Sequence, residues 1–272
     1  MKVLNLFTLA LVAVFIYACS GGQQQQTSEE KTTETTPATE TSADASGDNT
    51  LTDQEQQEGW SLLFDGQSVD QWRGAHQENF PEKGWHVEDG LLVVESADGA
   101  ESGNGGDIVT QNEYTDFEFM VDFRITEGAN SGIKYYVTEQ YNSGKSAIGL
   151  EYQVLDDEKH PDAKKGNNGG GTRTVASLYD LKATPQDKPI NPVGEWNTAR
   201  IVSMDGKVEH WLNGEKVLEF DRFSEEFAQL VENSKYKDWE GFGAWEQGHI
   251  LLQDHGNEVH YKNIKVRELP AS

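Results

Sequence analysis

The sequence is short of cysteine, of positive charge and of long apolar runs, and each shortage removes a class of protein. Its single cysteine, Cys19, leaves no disulfide framework to build. Lys and Arg number 22 against 47 Asp and Glu, for a formal net charge of −25. Residues 20–59 hold nine acidic residues and one Lys, and the first nineteen residues only Lys2, which leaves about −18 on residues 60–272. The main body is therefore itself acidic. That excludes nucleic acid as a partner, because phosphate binding needs clustered Lys and Arg to displace counterions. It also disfavours anionic substrates, so a neutral ligand such as a sugar fits better. No apolar run follows residues 3–17, and a mean hydropathy of −0.70 excludes a polytopic membrane protein. Also missing are a G-x-S-x-G nucleophile elbow, an H-E-x-x-H pair and a C-x-x-C pair.

What is present begins with an address. Lys2, the apolar run over residues 3–17 and Ala18 before Cys19 read as a signal peptide over 1–18. Ile-Tyr-Ala-Cys resembles a lipobox, which makes Cys19 the lipidated mature terminus; a diacyl anchor supplies the two chains that stable attachment needs. Residues 19–59 are rich in Gln, Thr, Ser and Glu and cannot bury enough surface to offset their ordering entropy, so they are expected to be a disordered tether. The expected location is the periplasm or the cell surface, with membrane contact through the anchor alone.

From Trp60 to the end, short apolar alternation is broken by Gly, Asn and Asp. Strands are expected over Trp85–Glu95 around Asp89-Gly90, Phe117–Arg124, Gly132–Val137, Gly149–Leu155 and Trp196–Met204. Lys207–Leu212, Glu215–Phe220, His249–Leu252 and Glu258–Val266 follow. Asp205-Gly206 and Asn213-Gly214 are hairpin dipeptides. Only Ser224–Asn233 carries helical spacing, at Phe227, Leu230 and Val231. The expected fold is all-β, a two-sheet antiparallel β-sandwich over 60–272. The long polar stretches Asp156–Val175 and Ala183–Gly194 exceed hairpin loops and are places for function.

Period-two alternation puts Glu151 and Gln153 on one face of their strand and Tyr152 and Val154 on the other. The same rule joins Gln253 with His255, and Lys134 with Tyr136. If these faces converge, they make a groove of carboxylate, amides, imidazole and amine beside aromatic rings, the mixture that sugar hydroxyls and C–H faces want. Against this, Glu and Gln on an antiparallel strand are commonly just its solvent side, and His255 beside Gly256 can be a turn residue. Asp156 and His160, with Asp157 and Glu158 between them, are candidate ligands for a divalent metal ion, although the calcium-loop spacing is absent. Gly166–Gly171 has no helix behind it and reads as a loop.

Ordered motifs then carry a resemblance. They are Leu63-Phe-Asp-Gly66 with Trp72, Trp85-His-Val-Glu-Asp-Gly90, Asn130-Ser-Gly-Ile133, Gly149-Leu-Glu-Tyr-Gln-Val-Leu-Asp156 and Ser177-Leu-Tyr-Asp180. Gly194-Glu-Trp-Asn197, Trp211-Leu-Asn-Gly214, Gly248-His-Ile-Leu-Leu-Gln-Asp-His-Gly256 and Tyr261-Lys-Asn-Ile264 complete the set. Together, from about Trp60 to Leu269, they resemble the 3-keto-disaccharide hydrolase family, formerly known only as a domain of unknown function. The resemblance implies a concanavalin A-like lectin/glucanase fold and an oxidised glycoside or disaccharide as substrate. It implies elimination across C1–C2 followed by hydration, since a ketone at C3 acidifies the C2 proton. On that reading Glu151 or His255 is the base, Lys134 or Gln253 polarises the ketone, and Asp156 or His160 assists the leaving group or holds an ion. Lys134 stands where some relatives carry Arg, and Asn130, Gln153, Tyr179 and Arg173 complete the expected sugar-binding set. A conventional glycosidase of the same fold stays open, although Glu151-Tyr-Gln153 has one carboxylate where two are wanted. So does a sugar-binding module without catalysis.

Overall fold

The computed structural model describes residues 47–100, 104–141, 147–166 and 170–270. The signal peptide, Cys19, most of the tether and residues 167–169 of the glycine-rich loop lie outside the described residues. The secondary structure opens with α1 (Asp53–Gln57) and β1 (Ser61–Leu62), β2 (Trp72–Gly74), β3 (Trp85–Glu88), β4 (Leu91–Val94) and β5 (Ile108–Thr110). Three long strands follow, β6 (Phe117–Ile125), β7 (Asn130–Thr138) and β8 (Ile148–Leu155). The chain ends with β9 (Asn197–Met204), β10 (Lys207–Leu212), β11 (Glu215–Asp221), α2 (Glu225–Glu232), β12 (His249–Leu252) and β13 (Val259–Glu268).

These strands form two antiparallel sheets, as expected for a sandwich. One has eight strands in the order β11-β10-β9-β6-β13-β4-β3, with β1 added beside β13; the other has five, β2-β5-β12-β7-β8. The hairpins close where the dipeptides foretell. Asp89 and Gly90 take φ of 49° and 77°, and Asp205-Gly206 and Asn213-Gly214 do the same, the doubly positive φ that fits the strand twist. Helix α2 starts at Ser224, whose hydroxyl accepts the Phe227 N–H, and it buries Phe227. The short strands β1, β2 and β5 were not foreseen, since two or three residues carry no readable period.

Two expectations are corrected. Residues 47–59 do not belong to a disordered tether. Asn49 and Asn263 exchange backbone N–H to side-chain Oδ1 bonds of 2.6 and 2.8 Å. Asp48 pairs with Lys262 at 2.8 Å, Glu55 with Lys265, and Glu58 with Arg267 at 3.2 Å. Thr52 and Glu55 form a capping box on α1. The acidic residues that looked like solvated tether are thus partners for the cations of β13. Second, Tyr136 does not share a face with Lys134. The pairing of β7 with β8 shifts register between Tyr135 and Thr138, and Tyr136 takes φ of 52° at this bulge. The extra residue sends both Tyr135 and Tyr136 into the core.

The core between the sheets is apolar but pinned by hydroxyls. The Tyr136 hydroxyl meets Ser203 Oγ at 2.7 Å and that of Tyr261 meets Ser131 Oγ at 2.8 Å, each bond joining one sheet to the other. The Tyr135 hydroxyl donates to His210 Nε2, and His210 Nδ1–H donates to the Ala176 carbonyl, both at 2.8 Å. These bonds satisfy a fully buried imidazole in its neutral form. Burial pulls the His210 pKa down to about 4.

Its effect on stability has a definite sign. An unfolded imidazole takes up its proton near pH 6.5 while the folded one stays neutral down to about pH 4. Stability is then full above about pH 6.5 and falls as pH drops through that window, by roughly 3 kcal/mol for a shift of this size. Urea unfolding at pH 7.5 and 4.5 checks this: His210→Gln should be less stable at pH 7.5 and should narrow its gap to the parent at pH 4.5. A gap independent of pH would overturn it.

Candidate active site

The outer face of the five-stranded sheet carries the site, because alternation turns its polar residues away from the core. Lys134 lies directly opposite Glu151 across β7 and β8, and Gly132 lies opposite Gln153. Across β7 and β12, Lys134 is opposite Leu251, and the Gln253 N–H donates to the Gly132 carbonyl at 3.0 Å. Glu151, Lys134, Gln153 and Gln253 therefore surround one glycine. Gly132 is required by close approach: a Cβ there would stand 2.5 Å from Glu151 Oε1. The missing side chain leaves the hollow in which the carboxylate rests.

Loops roof this face. Residues 176–179 run along the free edge of β8, where the Ala176 N–H donates to the Gln153 carbonyl at 2.9 Å and the Tyr179 N–H to that of Glu151 at 3.0 Å. This covers the edge and delivers the Tyr179 ring to the pocket. The Tyr179 hydroxyl donates to Asp162 Oδ2 at 2.7 Å, and Arg173 ties Asp162 to Asp180 with bonds of 2.8 Å on either side. Asp162 comes from the 3-10 turn Pro161–Lys164, whose cap is His160: its Nδ1 accepts the Asp162 N–H, which leaves the proton of the neutral ring on Nε2. The segment after α2 closes the other side, with Tyr236 stacked on Phe242 at 4.0 Å and Trp239 stacked on Tyr141 at 5.3 Å.

The result is a cavity of about 420 Å³, within the range of small-ligand sites. Its lining includes Glu151, Lys134, Asn130, Gln153, Gln253, His160, His255 and Tyr179. Strand alternation and the roofing loops together bring eight of the sequence candidates to one cavity. The polar face forms the floor of this cavity, and all eight residues of β8 are buried. Burial pushes the Glu151 pKa up, against the pull of Lys134, Lys235 and His255. Burial also pulls His160 down. Lys134 forms an ion pair with Asp107, its ammonium 3.7 Å from Oδ2. Lys235, with its ammonium 4.3 Å from the Tyr179 ring centre, is pulled down by burial, with Glu151 and Asp180 opposing.

Two candidates stand elsewhere. Asp156 is outside the cavity, and its carboxylate accepts the N–H groups of Gly128, Glu158 and Lys159 at 2.9, 2.9 and 3.0 Å. Burial would raise its pKa, but these amides hold it low. It is a turn-former, and the sequence misled because a strand-ending Asp reads alike in either role. Arg173 is not in the lining; it positions Asp162 and, 5.0 Å above its ring, Tyr179. Of the two suggested metal ligands, His160 lines the cavity and Asp156 does not, and among the described residues no group of three or more His, Cys, Asp or Glu is placed to hold an ion. Asp107, Asp162, Lys235, Tyr236 and Trp239 were missed. Only the density of aromatics over Tyr236–Trp245 could have pointed to the last two.

The comparisons with known proteins agree with this architecture. Residues 59–267 match the family model described as a 3-keto-alpha-glucoside-1,2-lyase-like domain. A 3-keto-disaccharide hydrolase of Bacteroides thetaiotaomicron is 35% identical over 234 residues, covering 78% of this chain and 79% of that protein. A crystal structure of a candidate glycosyl hydrolase from Parabacteroides distasonis superposes with a TM-score of 0.72 at 33% identity, covering 82% of this chain and 100% of that one. A second from the same organism gives a TM-score of 0.56 at 25% identity, over 77% and 99%. The chain belongs to the 3-keto-alpha-glucoside-1,2-lyase-like family and shares the fold of these two crystal structures, a two-sheet antiparallel sandwich.

The placement of Asp156 yields a prediction. Asp156→Asn keeps the shape but weakens three amide bonds to a charged acceptor, and should cost about 2 kcal/mol in urea unfolding at pH 7. Activity per folded molecule should stay within about twofold. A large loss of turnover in a folded variant would return Asp156 to the chemistry.

Proposed function

We propose that the protein hydrolyses glycosidic bonds of 3-keto-glycosides by elimination at C1–C2 followed by addition of water. The observation that carries this reading is Glu151: a buried carboxylate of raised pKa, directly opposite Lys134 on the adjoining strand, in the floor of a cavity lined by amides and aromatic rings. A general base for an acidic C–H needs such poise, since it must be ionised yet basic. The name of the Bacteroides relative supports a carbohydrate substrate and hydrolysis.

In this scheme the Glu151 carboxylate takes the C2 proton, and the C–H electrons form an enolate whose oxygen at C3 is stabilised by the Lys134 ammonium. The enolate re-forms the ketone as the C1–C2 double bond appears and the C1–oxygen bond breaks. The departing oxygen takes a proton from His255. Water then adds its oxygen to C1 and gives a proton back to His255, while Glu151 returns its proton to C2, which restores a 3-keto sugar. Gln253 and Gln153 hold the ring by their amides, and Tyr179 by its rim position. We further propose that Cys19 carries a lipid anchor that holds the domain at the periplasmic or outer cell surface.

Turnover of a 3-keto-glucoside and of its unoxidised parent, followed by release of the aglycone with and without chelator, tests the reaction. Cleavage of the keto form alone is expected; cleavage of the parent would make this a conventional glycosidase, and binding without cleavage a sugar-binding module. Glu151→Gln should lose at least a thousandfold in kcat with its unfolding midpoint retained, and near-normal turnover would sink the assignment. In the parent enzyme kcat should fall as pH drops through the raised Glu151 pKa, above the ordinary carboxylate range.

A further inference from the structure

The cavity lining has two chemically different parts. Its floor holds three carboxamides, those of Asn130, Gln153 and Gln253, with exposures of 3%, 0% and 6%. Among the described residues, Asn130 Oδ1, Gln153 Nε2 and Gln253 Oε1 find no hydrogen-bond partner. Gln153 cannot simply turn over, because its Oε1 already accepts the Val154 N–H at 2.9 Å, so an N–H donor is left facing the cavity. Buried polar groups without partners are costly, and in a pocket they mark where a ligand supplies the missing bonds. Three neutral amides around Gly132 suit the hydroxyl-bearing edge of one sugar ring, and Glu151 and Lys134 stand beside them to act on that ring.

Another part of the lining is aromatic. Trp239 is half-buried and lines the cavity; Tyr141 stacks on it with rings 26° apart, and Tyr236 and Phe242 meet its edge at 5.1 and 6.0 Å. These contacts hold the indole rigidly while part of it stays open. No step of the proposed reaction uses this ring, and its surface offers C–H stacking in place of hydrogen bonds. A glycoside whose reacting ring is fixed on the amides has one further part, the leaving group, and the indole of Trp239 is an apolar surface of the same lining that can receive it.

We infer that Trp239 is a specificity-determining residue that holds the leaving group, its indole stacking on the C–H face of a sugar or on an aryl ring there. This rests on the reaction proposed above. The test compares the intact protein with Trp239→Ala and Trp239→Phe on three 3-keto-glucosides that share one oxidised ring and carry methyl, phenyl or glucosyl leaving groups. Trp239→Ala should lower kcat/KM for the phenyl and glucosyl substrates by about tenfold, mostly through KM, and for the methyl substrate by less than about twofold. Trp239→Phe should recover most of the loss. Equal losses on all three substrates would show a merely structural role, and no loss on any would remove Trp239 from the site; either overturns the inference. If the parent protein cleaves none of the three, the proposed reaction fails. Calorimetric affinities of the same proteins for phenyl and methyl glucosides then decide the inference alone: a loss confined to the phenyl compound upholds it, and any other pattern refutes it.

Discussion

Glu151 sits on a strand whose eight residues are all buried, and its carboxylate is kept from water by segments distant in sequence. Removing a carboxylate from water is expensive, and the protein offsets that cost with nearby cations. Lys134, Lys235 and His255 each draw the pKa down, yet burial prevails. Much of the surrounding structure follows from holding this balance. Gly132 has no side chain so that the carboxylate fits, residues 176–179 cover the strand edge, and the tyrosine pins fix the sheet from beneath.

The five-stranded sheet is thus buried on both faces by different means. Its inner face packs apolar and tyrosine side chains against the larger sheet, and hydroxyl bonds across the core set the register of the two layers. Its outer face carries polar residues under loops, so the electrostatics there act at low effective dielectric and single groups count for more. The roof is itself an ionic assembly, with Asp162 and Asp180 spanned by Arg173 and the Tyr179 ring held between Arg173 and Lys235. An acidic chain thereby concentrates several of its few cations at one site. Others stand on β13, where Asp48, Glu55 and Glu58 of the incoming segment meet them.

Much of the sandwich was legible because strand alternation and turn dipeptides act over a few residues. Asp89-Gly90, Asp205-Gly206 and Asn213-Gly214 close hairpins by their own conformational preferences, and Ser224 caps α2 by its own hydroxyl. The pairing of Glu151 with Gln153, and of Gln253 with His255, came from the same local rule. Tyr136 escaped it because one bulged residue inverts every later side chain, and nothing in Lys-Tyr-Tyr-Val announces the bulge. Asp156 was misjudged because its partners are backbone amides, which have no sequence signature.

The sequence by itself determined the all-β class, the strand faces and the set of polar residues from which the site is drawn, because these follow from steric and solvation preferences of near neighbours. Only the tertiary structure decided that β8 would be buried on both faces, that Trp239 and Lys235 would line the cavity, and that the acidic stretch before Trp60 would bind β13. Those outcomes depend on contacts between residues some tens to more than two hundred positions apart, as in the pairing of Asn49 with Asn263. Desolvation is a property of the space that such contacts enclose, and no local pattern encodes it.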